Sequence, residues 1–133
     1  MKIFNNKNTP DSWNDKINFV DQNNIALGYD MGQGCCEHAD WFITDSPTNK
    51  CMDRSDDIKK LNEELEPYYF DMDYFKEFSD KDNAEFDEGG MVVFRITDGK
   101  NEKFVHLYNC HNGYYGHGFN FERGNEIIKK DIL

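Results

Sequence analysis

Residues 110–121 read Cys-His-Asn-Gly-Tyr-Tyr-Gly-His-Gly-Phe-Asn-Phe, placing four aromatic residues, two histidines and three glycines in twelve positions. Glycine weakens a strand interior, so repeated glycine marks a bulge, a sharp bend or a close approach of another group. Asn112-Gly113 is also the strongest short hairpin signal, because a type I′ turn needs positive φ at both central residues. The stretch therefore predicts a strand end, a tight turn and a kinked returning strand. Gly116 or Gly118 is expected at a bulge that turns Tyr114 and His117 toward an open surface.

The pattern before it supplies the partners. Residues 91–97 and 103–110 alternate as strands around an Asp98-Gly99-Lys100-Asn101 turn, so with 114–122 they predict a three-stranded antiparallel meander. Nearer the start, 2–4 reads as a short strand and Asp11-Ser12-Trp13 as a helical turn. Residues 17–20 and 25–29 form a hairpin about the polar turn 21–24. The segment 35–43 is extended, placing Cys36, His38 and Asp40 on one face and Glu37, Ala39 and Trp41 on the other. Ser55 or Asp56 can cap a helix whose stripe is Ile58, Leu61 and Leu65 and which stops at Pro67. Residues 68–78 alternate at first, then place Tyr74, Phe75 and Phe78 at helical spacing, so a strand passing into a helical turn is expected. Residues 79–90 read as an acidic mobile loop. Residues 126–133 read as a terminal strand or helical turn that docks Ile127, Ile128, Ile132 and Leu133 on the core. The sum is a single α+β domain over 1–133: an antiparallel sheet of C-terminal meander and N-terminal hairpin, with one or two short helices.

Charge is unevenly spread. The chain carries a formal −11, and between residues 53 and 88 fourteen Asp and Glu stand against five Lys and Arg. That insert-like segment therefore holds −9 of the total. No basic cluster exists to neutralise phosphates, which argues against direct nucleic-acid binding. An acidic face suits a basic protein surface instead, and Asp71, Asp73 and Glu77 are its candidate contacts. No apolar run reaches the roughly 20 residues of a membrane span. The first residues lack a secretory leader pattern, so free thiols in a host-cell cytoplasm are expected.

Chemistry at a single site is harder to find. Cys36, His38 and Cys110 are the best metal ligands on offer, yet no loop pairs cysteines two to four residues apart as structural zinc sites do. Free thiols without stoichiometric metal are expected. A thiolate–imidazole pair of Cys36 with His38, or across the sheet with His117, lacks any hydrolase signature, and Glu37 and Asp40 would raise a thiol's pKa. No cofactor motif is present. The aromatic residues offer recognition instead: Tyr114, Tyr115, His117 and Trp41 are candidate binding residues, while Phe119 and Phe121 are expected in the core.

Gly34-Cys35-Cys36-Glu37 and His111-Asn112-Gly113-Tyr114-Tyr115-Gly116 resemble paired motifs of small uncharacterised proteins carried by phages and prophages. In those proteins an acidic residue precedes Cys-Cys-Glu and serines flank Asn-Gly-Tyr-Tyr; here Gly34, His111 and Gly116 occupy those places. The resemblance covers these two patches, and residues 53–88 have no counterpart in it. It implies a phage-like origin and, by analogy with small acidic phage proteins, a non-enzymatic antagonist of a host antiviral-defence protein with a basic surface. The alternatives are a sponge for a small nucleotide immune signal, using Arg95 or Arg123 for phosphates and possible across a homo-oligomer interface, and a small zinc- or cysteine-dependent enzyme.

Overall fold

Alternation sets the first strands. In Lys16–Val20 (β2) and Ile25–Asp30 (β3) the buried residues are Ile17, Phe19, Ile25, Leu27 and Tyr29, so a slip of one residue would expose the whole set. Lys2–Asn6 (β1) pairs with β2, and β2 with β3, both antiparallel. The computed structural model describes residues 1–6, 15–32, 37–52, 57–111 and 116–133. The expected helical turn at Asp11-Ser12-Trp13 lies outside them.

The chain then changes sheets. Glu37–Thr44 (β4), Tyr69–Ser79 (β5), Gly90–Thr97 (β6) and Glu102–His111 (β7) form a second antiparallel sheet in the order β4-β7-β6-β5. Gly118–Arg123 (β8) and Glu126–Ile132 (β9) return to the first, whose order is β1-β2-β3-β8-β9. One core joins the two sheets: Phe19, Leu27, Phe119 and Phe121 from the first meet Trp41, Val92, Phe94 and Leu107 from the second. The Phe19 ring meets Trp41 edge-on at 5.2 Å, and Phe94 touches the rings of Phe70, Phe75, Phe119 and Phe121.

The second sheet is covered on its other face too. Phe42, Met91, Val93, Phe104 and Tyr108 point outward into a smaller core closed by Phe86, from a short 3-10 turn at Ala84–Phe86. Met91 through Phe94 are consequently all buried, which a sheet with one wet face could not tolerate.

The fold corrects the α+β expectation: it is a predominantly β structure of two antiparallel sheets, with one short helix, Ile58–Glu64 (α1), among the described residues. That helix starts at Asp57, whose side chain accepts from the Lys60 N–H at 3.0 Å. The helical ending expected after residue 73 is strand. Phe70 pairs with Ile96 and Phe75 with Phe94, so residues 71–74 bulge opposite Arg95 alone, and the displaced alternation imitated a helical period. The C-terminal meander is also corrected. β6 and β7 pair as expected, but β8 pairs with β3 and β9 rather than with β7, so residues 112–117 connect the sheets. The Asn112-Gly113 turn itself lies outside the described residues. The bulge expected at Gly116 or Gly118 is not on β8: pairing is regular from Gly118 to Phe121, and the extra residue is Ile128 of β9, between the Phe121–Lys129 and Glu122–Ile127 pairs. Residues 79–90 are anchored through the fully buried Phe86. Ile127, Ile128 and Ile132 are exposed on the edge strand β9; only Leu133 packs on the core.

Polar groups tie the sheets together. Asp21, buried between β2 and β3, accepts from the Asn23 and Ile25 N–H groups through Oδ1 at 2.9 and 3.0 Å, and from Phe70 N–H of β5 through Oδ2 at 2.9 Å. Asp21→Ala leaves three donors unsatisfied and is expected to lower stability by on the order of 3 kcal/mol. Urea unfolding checks this; a loss under about 1 kcal/mol would mean that water replaces the carboxylate.

Candidate functional site

The acidic segment is where sequence and fold meet. It supplies β5, which among the described residues pairs with β6 alone and so forms an edge of the second sheet. Within its bulge Asp71 turns back onto the protein. Its Oδ2 accepts from Arg95 Nε at 2.8 Å and from Nη2, while Oδ1 accepts from the Asp73 N–H at 2.9 Å. The Asp73 N–H, and then Arg95, hold its carboxyl below the usual range against partial desolvation. Arg95 also lies 4.9 Å from the Tyr74 ring and 3.6 Å from Glu102. Asp71 is thus occupied by the fold, and so is Arg95, one of the two arginines considered for a phosphate; the other, Arg123, is exposed on β8.

The neighbouring acids are in a different state. Asp73, Glu77, Asp80, Glu85, Asp87 and Glu88 are exposed, and among the described residues none forms an ion pair. Lys76 and Lys81 are the interspersed bases. At the end of β5 a groove of about 350 Å³ opens toward β9, lined by Glu77, Phe78, Ser79, Asp82, Asp131 and Ile132 among others, with no basic residue. Asp82 there is partly used, accepting from the Ser79 N–H at 2.8 Å. A hollow of similar size, about 370 Å³, sits at the opposite edge of the first sheet beside Met1, Phe4 and Val20. It is more apolar and contains none of the residues singled out from sequence.

Of the candidate metal and nucleophile residues, His38 and Cys110 occupy the outer face of the second sheet. His38 and Cys110 stand opposite each other in the β4–β7 register, and the His38 ring lies 5.5 Å from that of Tyr108. The Cys110 sulfur is 3.0 Å from that of Cys51. Nothing in the spacing of Cys51 signals a partner so far along the chain. Cys36 lies outside the described residues. Among the described residues no three His, Cys, Asp or Glu side chains converge as a metal cluster. His117 is on the other sheet, with Nδ1 donating to the Asp30 carbonyl at 2.8 Å, so it does not meet His38.

Two recognition residues are corrected by their burial. His117 was expected at an open surface but is 3% exposed, and Trp41 is 0% exposed in the shared core. Both follow the inward alternation of their strands, and His117 continues the run of Phe119 and Phe121. Tyr114 and Tyr115 lie outside the described residues. Of the two motif patches, the described residues Glu37 and His111 pair across β4 and β7.

The chain matches no known protein-family model, no curated protein and no solved structure. Among the described residues no helix is long and apolar enough to cross a membrane.

His106 gives this face a pH dependence. It is fully buried, stacked on Phe42 at 4.3 Å, with Nδ1 donating to the Phe104 carbonyl at 3.1 Å and Nε2 accepting from the Thr48 N–H at 3.2 Å. Burial pushes its pKa down from 6.5 to about 4, against the pull of the Phe104 carbonyl. Between those values the unfolded chain binds a proton that the native protein does not. The contribution is therefore fully present above about pH 6.5 and is lost as pH falls to 4, by on the order of 3 kcal/mol at most. Urea midpoints at pH 7 and pH 5 should show this loss in the native sequence and a smaller one in His106→Gln.

Proposed function

We propose that this protein is a non-enzymatic, phage-type antagonist that binds a host antiviral-defence protein through its acidic β5 edge and the adjoining groove. The observation that carries the reading is the division among the acids. Asp71 is held by Arg95, whereas Asp73, Glu77, Asp80 and the acids of 85–88 remain exposed and without ion pairs among the described residues. Unpaired like charges along β5 and the segment that follows it repel one another, an arrangement that a basic partner relieves. A strand edge adds main-chain donors and acceptors to that surface. Phe78 and Ile132 in the groove wall provide apolar contact beside Glu77 and Asp131.

The test is capture of host-cell proteins on the tagged chain, followed by binding measurements with the protein recovered. Affinity should fall steeply between low and physiological salt, because exposed charges are screened within about 10 Å at 0.1 M. Asp73→Lys, Glu77→Lys and Asp80→Lys combined should abolish binding and leave the melting temperature nearly unchanged. Asp71→Lys should instead lower the melting temperature by breaking the Arg95 contact. Unaltered affinity in the triple variant would refute the assignment.

A further inference from the structure

Beside the acidic stretch 82–85, the outer face of the second sheet carries a pair of thiols for which the proposed function has no use. Cys110 projects from β7, and Cys51 reaches it from a segment 59 residues earlier, with the sulfurs 3.0 Å apart and both side chains half-buried. The segment bearing Cys51 is laid across the sheet by other groups. Thr48 N–H donates to His106 Nε2 at 3.2 Å, Asn49 Nδ2 donates to the Asp82 carbonyl at 3.2 Å, and Asn83 Nδ2 donates to the Asn49 carbonyl at 2.8 Å. The fold, through these bonds, brings the two sulfurs together and holds them.

We propose that Cys51 and Cys110 form an oxidation site, where an oxidant of the peroxide class converts the two thiols to a disulfide fastening residues 45–52 to β7. A disulfide bond is about 2.05 Å long, so closure draws the sulfurs in by roughly 1 Å, within reach of side-chain rotation. Either thiol can donate the S–H···S hydrogen bond to the other, so the pair is symmetric in geometry, and Cys110 is taken as the thiolate. Besides that hydrogen bond, the nearby Glu85 carboxylate raises the pKa of both. The Cys110 thiolate attacks one peroxide oxygen; an S–O bond forms, the O–O bond breaks, and the departing hydroxide takes a proton to become water. Cys51 then loses its proton and attacks the Cys110 sulfur, so the S–S bond forms, the S–O bond breaks and a second water leaves. Two thiols are oxidised and one peroxide is reduced to two waters.

The purified full chain, treated with a small excess of hydrogen peroxide, tests this. A non-reduced digest should contain a peptide pair linked through Cys51 and Cys110, two hydrogens lighter than the free peptides. The melting temperature should rise and return to its starting value on reduction. Cys51→Ser should lose that rise, and its Cys110 should be trapped as a sulfenic acid by dimedone; Cys35→Ser/Cys36→Ser should keep the rise. The proposal is overturned if Cys51 and Cys110 still alkylate fully after Cys35 or Cys36 has been oxidised. It is equally overturned if the rise persists in Cys51→Ser, or if a stoichiometric metal ion on the two thiols blocks their oxidation.

Discussion

The carboxylate of Asp21 lies at the seam of the two sheets, and three backbone N–H groups converge on it. Two of them close the turn between β2 and β3; the third lies at the start of β5. A buried carboxylate is tolerated only when its lone pairs are satisfied, so the turn and Phe70 at the start of β5 must be in place together. The Tyr29 hydroxyl makes a second tie, donating across the core to the Tyr108 carbonyl at 2.7 Å. Apolar packing between the sheets is non-directional, whereas these bonds fix how one sheet sits on the other.

How much of this was legible depends on the range of the interactions involved. The hairpins β2–β3 and β6–β7 are local, and their alternation and turn residues announced them. β5 was half legible: its bulge lets Tyr74 and Phe78 face the outer core while Phe75 faces the inner one, and the local pattern then mimics a helix. The pairing of β8 with β3 was not legible, since a strong turn dipeptide between two strand-like segments usually joins neighbours in one sheet. β9 misled for a related reason. Its isoleucines look like core residues, yet the strand lies at an edge where nothing among the described residues covers them.

The same division holds for the site. Composition identified the acidic segment, but only the fold separates Asp71, bound to Arg95, from Asp73 and Glu77. His117 and Trp41 looked suited to recognition by residue type, and strand alternation turned both inward. The Cys51–Cys110 contact joins a loop to a strand far along the chain, so no spacing rule could have revealed it.

The order of strands also has a consequence for how the chain comes off the ribosome. β1, β2 and β3 precede the second sheet in the chain, but Leu27 finds its neighbour Phe121 only after the whole of that sheet has been made. The second sheet, by contrast, is assembled from β4 to β7 as one continuous stretch of sequence. Until β8 is synthesised, β3 presents a bare backbone edge, the condition in which strands pair with the wrong chain. The high charge of residues 53–88 emerges during that same interval, so nascent chains repel one another while the edge is still unguarded.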